Sequence, residues 1–165
     1  MYEGLHKKWK ITLQPNAPFE MPCGWFDGLS LCMKRASPYV KLCWLKSACG
    51  AWCTASRLSS YINRPCIFGC EGDRDELCHY LQCPILWQLA SEAFCQSDSS
   101  ICILSRIGLL DPSSVKLKRL AFRHALYHSC VNDSCCIREN GMPFPSTVVQ
   151  ARASELSNYC IHLVG

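Results

Sequence analysis

At 165 residues, 49% hydrophobic and 18% charged, the chain is long enough for one domain with a real core, and too apolar and too weakly charged for a disordered one. Its opening, Met-Tyr-Glu-Gly-Leu-His-Lys-Lys-Trp-Lys, is polar where a secretory signal needs an apolar segment, and no run approaches the ~18 apolar residues of a membrane span, so a soluble, intracellular protein is expected, with no nuclear address readable. The net charge of +4 is uneven: residues 1–64 carry nine Lys/Arg against three Asp/Glu, residues 65–114 two against seven, and residues 115–165 six against three, giving basic flanks that suit a phosphate backbone or a solvated face.

Residues 1–37 contain scattered Pro and Gly (Pro15, Pro18, Pro22, Gly24, Gly28) without a sustained period, which predicts an irregular lead-in whose aromatics, Trp9, Phe19, Trp25 and Phe26, dock on the body. From Pro38 to about Tyr61, Trp44, Leu45, Ala48, Cys49, Trp52, Ala55 and Leu58 recur at three- and four-residue steps, the pattern of an amphipathic helix ended by Asn63-Arg64-Pro65. Pro84 opens a helix with Leu86, Trp87, Leu89, Ala90 and Phe94 on its apolar side, and a Ser/Asp stretch at 97–100 interrupts it. Asp111-Pro112 predicts the start of a helix reaching about Ser129, and after Asn140-Gly141, Pro143 and Pro145 a last helix capped by Ser146 carries Val149, Ala153, Leu156, Tyr159, Cys160 and Leu163. With no alternating strand pattern, the expected class is mostly α: one small helical domain made of the lead-in (1–37), a helix plus a metal-stapled loop-helix module (38–95), and a helical C-terminal part of the same domain (96–165).

Fifteen cysteines would suggest a disulfide framework in a secreted chain, but their number is odd and their spacing irregular, which fits metal binding plus buried thiols. One cluster has ligand spacing. Cys66-Ile-Phe-Gly-Cys70 is followed, after eight residues, by His79-Tyr-Leu-Gln-Cys83. A tetrahedral zinc ion takes four such donors as two close pairs, one from a tight turn, which Gly69 permits, and one from a helical i,i+4 pair, His79 and Cys83. Asp73, Asp75 and Glu76 stand where the first turn of that helix would begin and suit its dipole. Cys78 would point to another helix face and is a bystander. Four protein ligands leave no open position, so the expected Zn2+ is structural.

The cluster has a recognisable setting. Trp44, the run Ala51-Trp52-Cys53-Thr54-Ala55-Ser56-Arg57-Leu58, Pro65-Cys66-Ile67-Phe68-Gly69-Cys70, Asp75-Glu76-Leu77-Cys78-His79-Tyr80-Leu81-Gln82-Cys83-Pro84 and Leu86-Trp87 together resemble the zinc-binding region that follows the reverse transcriptase of LINE-like non-LTR retrotransposons. The resemblance covers about residues 40–95, and the Cys-x3-Cys spacing is one residue longer than the commonest form. It implies an accessory module contacting RNA or DNA, with zinc holding the fold. Lys46, Arg57 and Arg64 are then the candidates for phosphate contact, against plain surface solubility. Trp44, Trp52 and Trp87 are core residues by their helical spacing, or platforms for bases. The chain has no Asp-Asp pair of the kind a polymerase uses to hold Mg2+, so no catalytic activity is expected, and the chain reads as the terminal module or a fragment of such an element.

His124 and His128 stand at i,i+4 with Cys130 nearby; a second metal site lacks a fourth ligand there. The same helix carries Lys116, Lys118, Arg119 and Arg123, and Lys116, Arg119 and Arg123 join the nucleic-acid candidates. Cys135-Cys136 is too local to interpret. Two further functions compete with nucleic-acid binding: a zinc-stabilised protein-interaction domain, and a cysteine-dependent enzyme.

Overall fold

A computed structural model describes residues 25–58, 64–95, 102–132 and 143–162. Trp9, Phe19, Tyr61, Asn63, the 97–100 stretch, Cys135-Cys136, Asn140-Gly141 and Leu163, with the side chains of Trp25, Leu58, Tyr159 and Cys160, lie outside the described residues. The described residues are mostly helical, as expected, and contain no strand beyond one isolated antiparallel bridge, Pro65 to Arg74.

The lead-in is not irregular throughout. Trp25–Arg35 forms a helix, α1, with Asp27 in its first turn and Lys34 and Arg35 in its last, the charge order that complements the helix dipole. Gly28, one of the residues taken for a breaker, sits inside it because a Cβ there would come within 2.8 Å of Pro112 Cγ. The next helix, α2, spans Pro38–Ala48; Ser37 caps it by accepting the Val40 N–H at 3.4 Å, and Pro38 occupies the first turn.

The helix expected to continue to Tyr61 stops at Cys49. Gly50 adopts a left-handed conformation (φ +64°), its N–H bonds to the Ser47 carbonyl at 3.2 Å, and the Ala51 N–H reaches back to Lys46 at 2.7 Å. This pair of bonds is a Schellman cap. The turn swings Trp52 into the core, where it is 1% exposed and donates Nε1–H to Ser47 Oγ at 2.9 Å. A four-residue helix, α3 (Ala55–Leu58), follows.

Past the Cys-x3-Cys turn come α4 (Leu77–Gln82), α5 (Pro84–Ala93) and the short α6 (Ile103–Arg106). The central element is α7, Ser114–Asn132. It starts later than Asp111-Pro112 suggested because Ser113 is the cap, its Oγ accepting the Lys116 N–H at 3.2 Å, while Asp111 pairs with Lys116 Nζ at 2.5 Å. Leu117, Leu120, Ala121, Phe122, Leu126, Tyr127 and Cys130 of α7 are all buried. The last helix, α8 (Ser146–His162), begins directly after Pro145, whose carbonyl accepts the Val149 N–H at 3.2 Å, so Ser146 stands in its first turn and not at the cap position expected of it; the helix buries Val149 and Ala153. Helices α2, α5 and α8 all pack on α7. Among the described residues, no helix is long and apolar enough to cross a membrane.

Candidate metal centre

The Cys-x3-Cys turn is built by backbone pairing. Arg64 O accepts from the Asp75 N–H (2.8 Å) and Asp73 O from the Cys66 N–H (2.9 Å), so two antiparallel segments bring Cys66 back beside the start of α4. Gly69 has φ +84° and donates its N–H to Cys66 O at 3.1 Å, which lets the turn close with the longer spacing. Tyr80 Oη accepts the Ile67 N–H at 3.3 Å, and Ile67 O accepts the Phe144 N–H at 2.7 Å. The turn is thereby tied to α4 on one side and to the approach to α8 on the other.

Cys66, Cys70, His79 and Cys83 come together with one donor atom from each within 4.8 Å of the others, an arrangement compatible with a metal ion; among the described residues this is the one such group. Cys66 and Cys83 are fully buried, His79 is buried and Cys70 is half-buried. Cys70 Sγ lies 3.6 Å from Cys83 Sγ. His79 Nδ1 faces Asp73 Oδ2 at 3.2 Å, so Nδ1–H is the donor to the carboxylate, and Nε2 is left buried without a hydrogen-bond partner. A carboxylate behind an imidazole with a bare, buried Nε2 is how a metal-binding histidine is oriented.

The thiols are electrostatically inequivalent. The hydrogen bond from Cys83 pulls the Cys66 thiol down to about 4 against the effect of burial, with help from His79 and the Phe68 and Cys70 backbone. Cys70 is pushed up to about 11 by burial and by the Cys66 charge, and Cys83 is raised by its hydrogen bond to Cys66 and by burial. For His79, burial opposes the imidazolium, but Cys66, Asp73 and Glu76 outweigh it and raise the value. One thiolate thus suppresses the ionisation of the other two. A divalent cation in their midst reverses that order by allowing all three to ionise.

The acidic step into α4 does different work from that expected. Glu76 precedes α4 without a side-chain cap, and the first turn holds no acid. Asp73 orients His79. Asp75, 1% exposed, accepts the Ala55 N–H at Oδ2 and the Tyr127 O–H at Oδ1, each at 3.0 Å, and so fastens α3 and α7 to the segment that carries the Cys/His cluster. Cys78, half-buried beside His79, stands outside the four-residue group, as expected.

The basic candidates separate. Arg57 is exposed on α3, with Nη1 3.5 Å from Trp52 O, and Lys46 and Arg64 are half-buried. Lys116 is engaged with Asp111 and, at 2.9 Å, with Ser105 Oγ. Arg119 (3% exposed) and Arg123 (0%) are inside the domain, which removes them as phosphate contacts: a buried guanidinium cannot reach a polyanion outside. The spacing on a basic helix concealed this because α7 is surrounded on most sides.

The tryptophans serve packing. Trp44 donates Nε1–H to Ile107 O at 3.0 Å, and Trp87 lies beneath Arg106 and Arg123. Trp52 contacts Tyr80, Tyr127, His124 and His128 at ring separations of 5.3 to 6.3 Å. Tyr80 in turn lies 5.3 Å from the His79 ring, so one aromatic cluster runs from the candidate ligand His79 into α7. His124 meets Cys43 of α2, Nδ1 to Sγ at 3.4 Å, rather than joining a second metal group with Cys130.

Comparison with protein-family models, with curated proteins and with solved structures gives no match for this chain.

Proposed function

We propose that the chain is a non-catalytic module in which Cys66, Cys70, His79 and Cys83 hold a structural Zn2+, and that the module contacts RNA or DNA as the accessory region, or a fragment of the accessory region, of a retrotransposon reverse transcriptase. The observation that carries the metal assignment is the setting of His79: Nδ1 faces Asp73, Nε2 is buried without a hydrogen-bond partner, and the ring supplies one of four donors that lie within 4.8 Å of one another. Three thiolates and an imidazole are the donors of a closed tetrahedral zinc site, which has no position left to activate water. The resemblance of residues 40–95 to the retrotransposon region supports the nucleic-acid class. Of the basic candidates, Lys46, Arg57 and Arg64 are the cations left for phosphate contact.

The test is a salt series of gel shifts with zinc-loaded protein on single-stranded and duplex RNA and DNA. Three phosphate contacts give a slope of log affinity on log salt of about −2 to −3, and replacing Lys46, Arg57 and Arg64 together by Ala flattens it. No shift at low salt rejects the nucleic-acid reading. A second reading, a zinc-stabilised protein-interaction domain, is favoured by Leu42 and Leu45 on α2, both 51% exposed.

A further inference from the structure

We infer that Arg106 and Arg123 are positioning residues for the metal centre, acting through the two ends of the segment that carries Cys83; this rests on the metal reading above. Cys83 (φ −47°, ψ 116°) is the joint between α4 and α5, and its own backbone marks the place where one helix stops and the other starts. A helix ending there leaves its last carbonyls without intrahelical donors.

Both guanidinium groups supply what is missing. Arg123 Nη1 donates to Leu81 O at 3.2 Å, and Arg106 Nη1 reaches Leu81 O at 3.5 Å and Gln82 O at 3.4 Å. Arg123 Nη2 also donates to Arg106 O at 3.5 Å, which locks the two residues to each other. Positive charge at a helix C-terminus is favourable, and the fork of a guanidinium serves more than one carbonyl at once.

On the other side of Cys83, the Trp87 N–H donates to Cys83 O at 2.9 Å in the first turn of α5. The Trp87 ring is in turn held by the same pair, with Arg106 Cζ 4.1 Å and Arg123 Cζ 4.3 Å from its centroid. The residues before Cys83 and the residue that bonds its carbonyl are therefore fixed by one bracket. That bracket comes from α6 and α7, elements outside the ligand segment. The burial of Arg123, unhelpful for a polyanion, is explained by this role.

The experiment uses the full chain, stripped of metal and titrated with Co2+, reading both the dissociation constant by chelator competition and the thiolate-to-cobalt and d–d absorption bands. Arg106→Met and Arg123→Met are expected to weaken Co2+ binding about tenfold and to shift the bands, in the range seen for outer-shell partners of metal ligands. Leu120→Ala, an equally buried change in α7, should lower the melting temperature while leaving the bands in place. Arg106→Lys should recover part of the affinity, since one ammonium reaches one carbonyl. Arg106 is half-buried, so its variants report even if Arg123→Met does not fold. Wild-type affinity and bands in Arg106→Met overturn the inference, as does an equal band shift in Leu120→Ala. Wild-type protein that takes up no Co2+ overturns the metal reading itself, a result distinct from either.

Discussion

Removing the Asp75 carboxylate is the sharpest perturbation of how the segment carrying the Cys/His cluster is fastened to the helices. In Asp75→Ala, the Ala55 N–H loses its acceptor at 3.0 Å and is left buried, whereas the Tyr127 O–H retains Cys53 O at 3.0 Å. A hydrogen bond to a charged acceptor contributes about 1.5–3 kcal/mol, and an orphaned buried donor costs about 1–3, while relief of a buried charge offsets part of the sum. A net loss of about 3 kcal/mol is expected. For a chain of this size that lowers the melting temperature by about 6–12 °C. The assay is denaturant unfolding at fixed, saturating Zn2+, with Glu71→Ala, an exposed neighbour, as the control within about 0.5 kcal/mol. Tyr127→Phe alone should cost about 1–2 kcal/mol, and the double variant should be less than additive by about 1 kcal/mol because the pair shares one bond. Asp75→Ala within 0.5 kcal/mol of wild type, or strict additivity with Tyr127→Phe, would refute the reasoning.

His124 is held neutral, its value lowered to about 3 by burial and then by His128 and Lys46, with Cys43 and Trp52 as its other neighbours. Its folded value lies below the unfolded one of about 6.5, so the unfolded chain binds the proton that the native state refuses, and stability falls as pH drops below about 6.5. Between pH 7 and pH 5 this contributes a loss of about 2 kcal/mol, and His124→Gln should flatten the stability–pH curve by that amount at saturating Zn2+; parallel curves for the two proteins would dispose of it. Gly69→Ala places a side chain at φ +84° and should cost about 1–2 kcal/mol with a matching loss of metal affinity in a chelator titration. The new Cβ would meet Pro143 Cβ at an ordinary 3.5 Å, so a large effect from crowding instead of backbone strain would show as recovery on trimming Pro143 to Gly.

The helical class and the four clustered donors were legible because both are local signals: periodicity over a few turns, and pairs of ligands at turn and helix spacing. The end of α2 was equally local. Gly50 is a left-handed cap residue in plain view, but the apolar series continued through Trp52, Ala55 and Leu58, and periodicity alone masked the break. The α1 helix was hidden by Gly28, whose reason is a contact with Pro112, remote in sequence. The same limit applies to the charged residues. Asp73, Asp75, Arg119 and Arg123 carry the same letters as surface charges, and only the assembled fold separates His79's partner, a buried fastening and two internal guanidinium groups from Arg57 on the surface. Nothing in the spacing of α7 indicates that α2, α5 and α8 all lean on it.

Metal content decides the central claim. Purified, refolded chain should carry one Zn2+ by elemental analysis, retain it in Cys78→Ser, and lose it with most of its helicity in Cys66→Ser or on chelation, since about 10 kcal/mol or more of folding free energy can reside in such a site. Wild-type protein with no bound zinc and unchanged helicity after chelation, or Cys66→Ser with undiminished zinc and an unchanged melt, would contradict it.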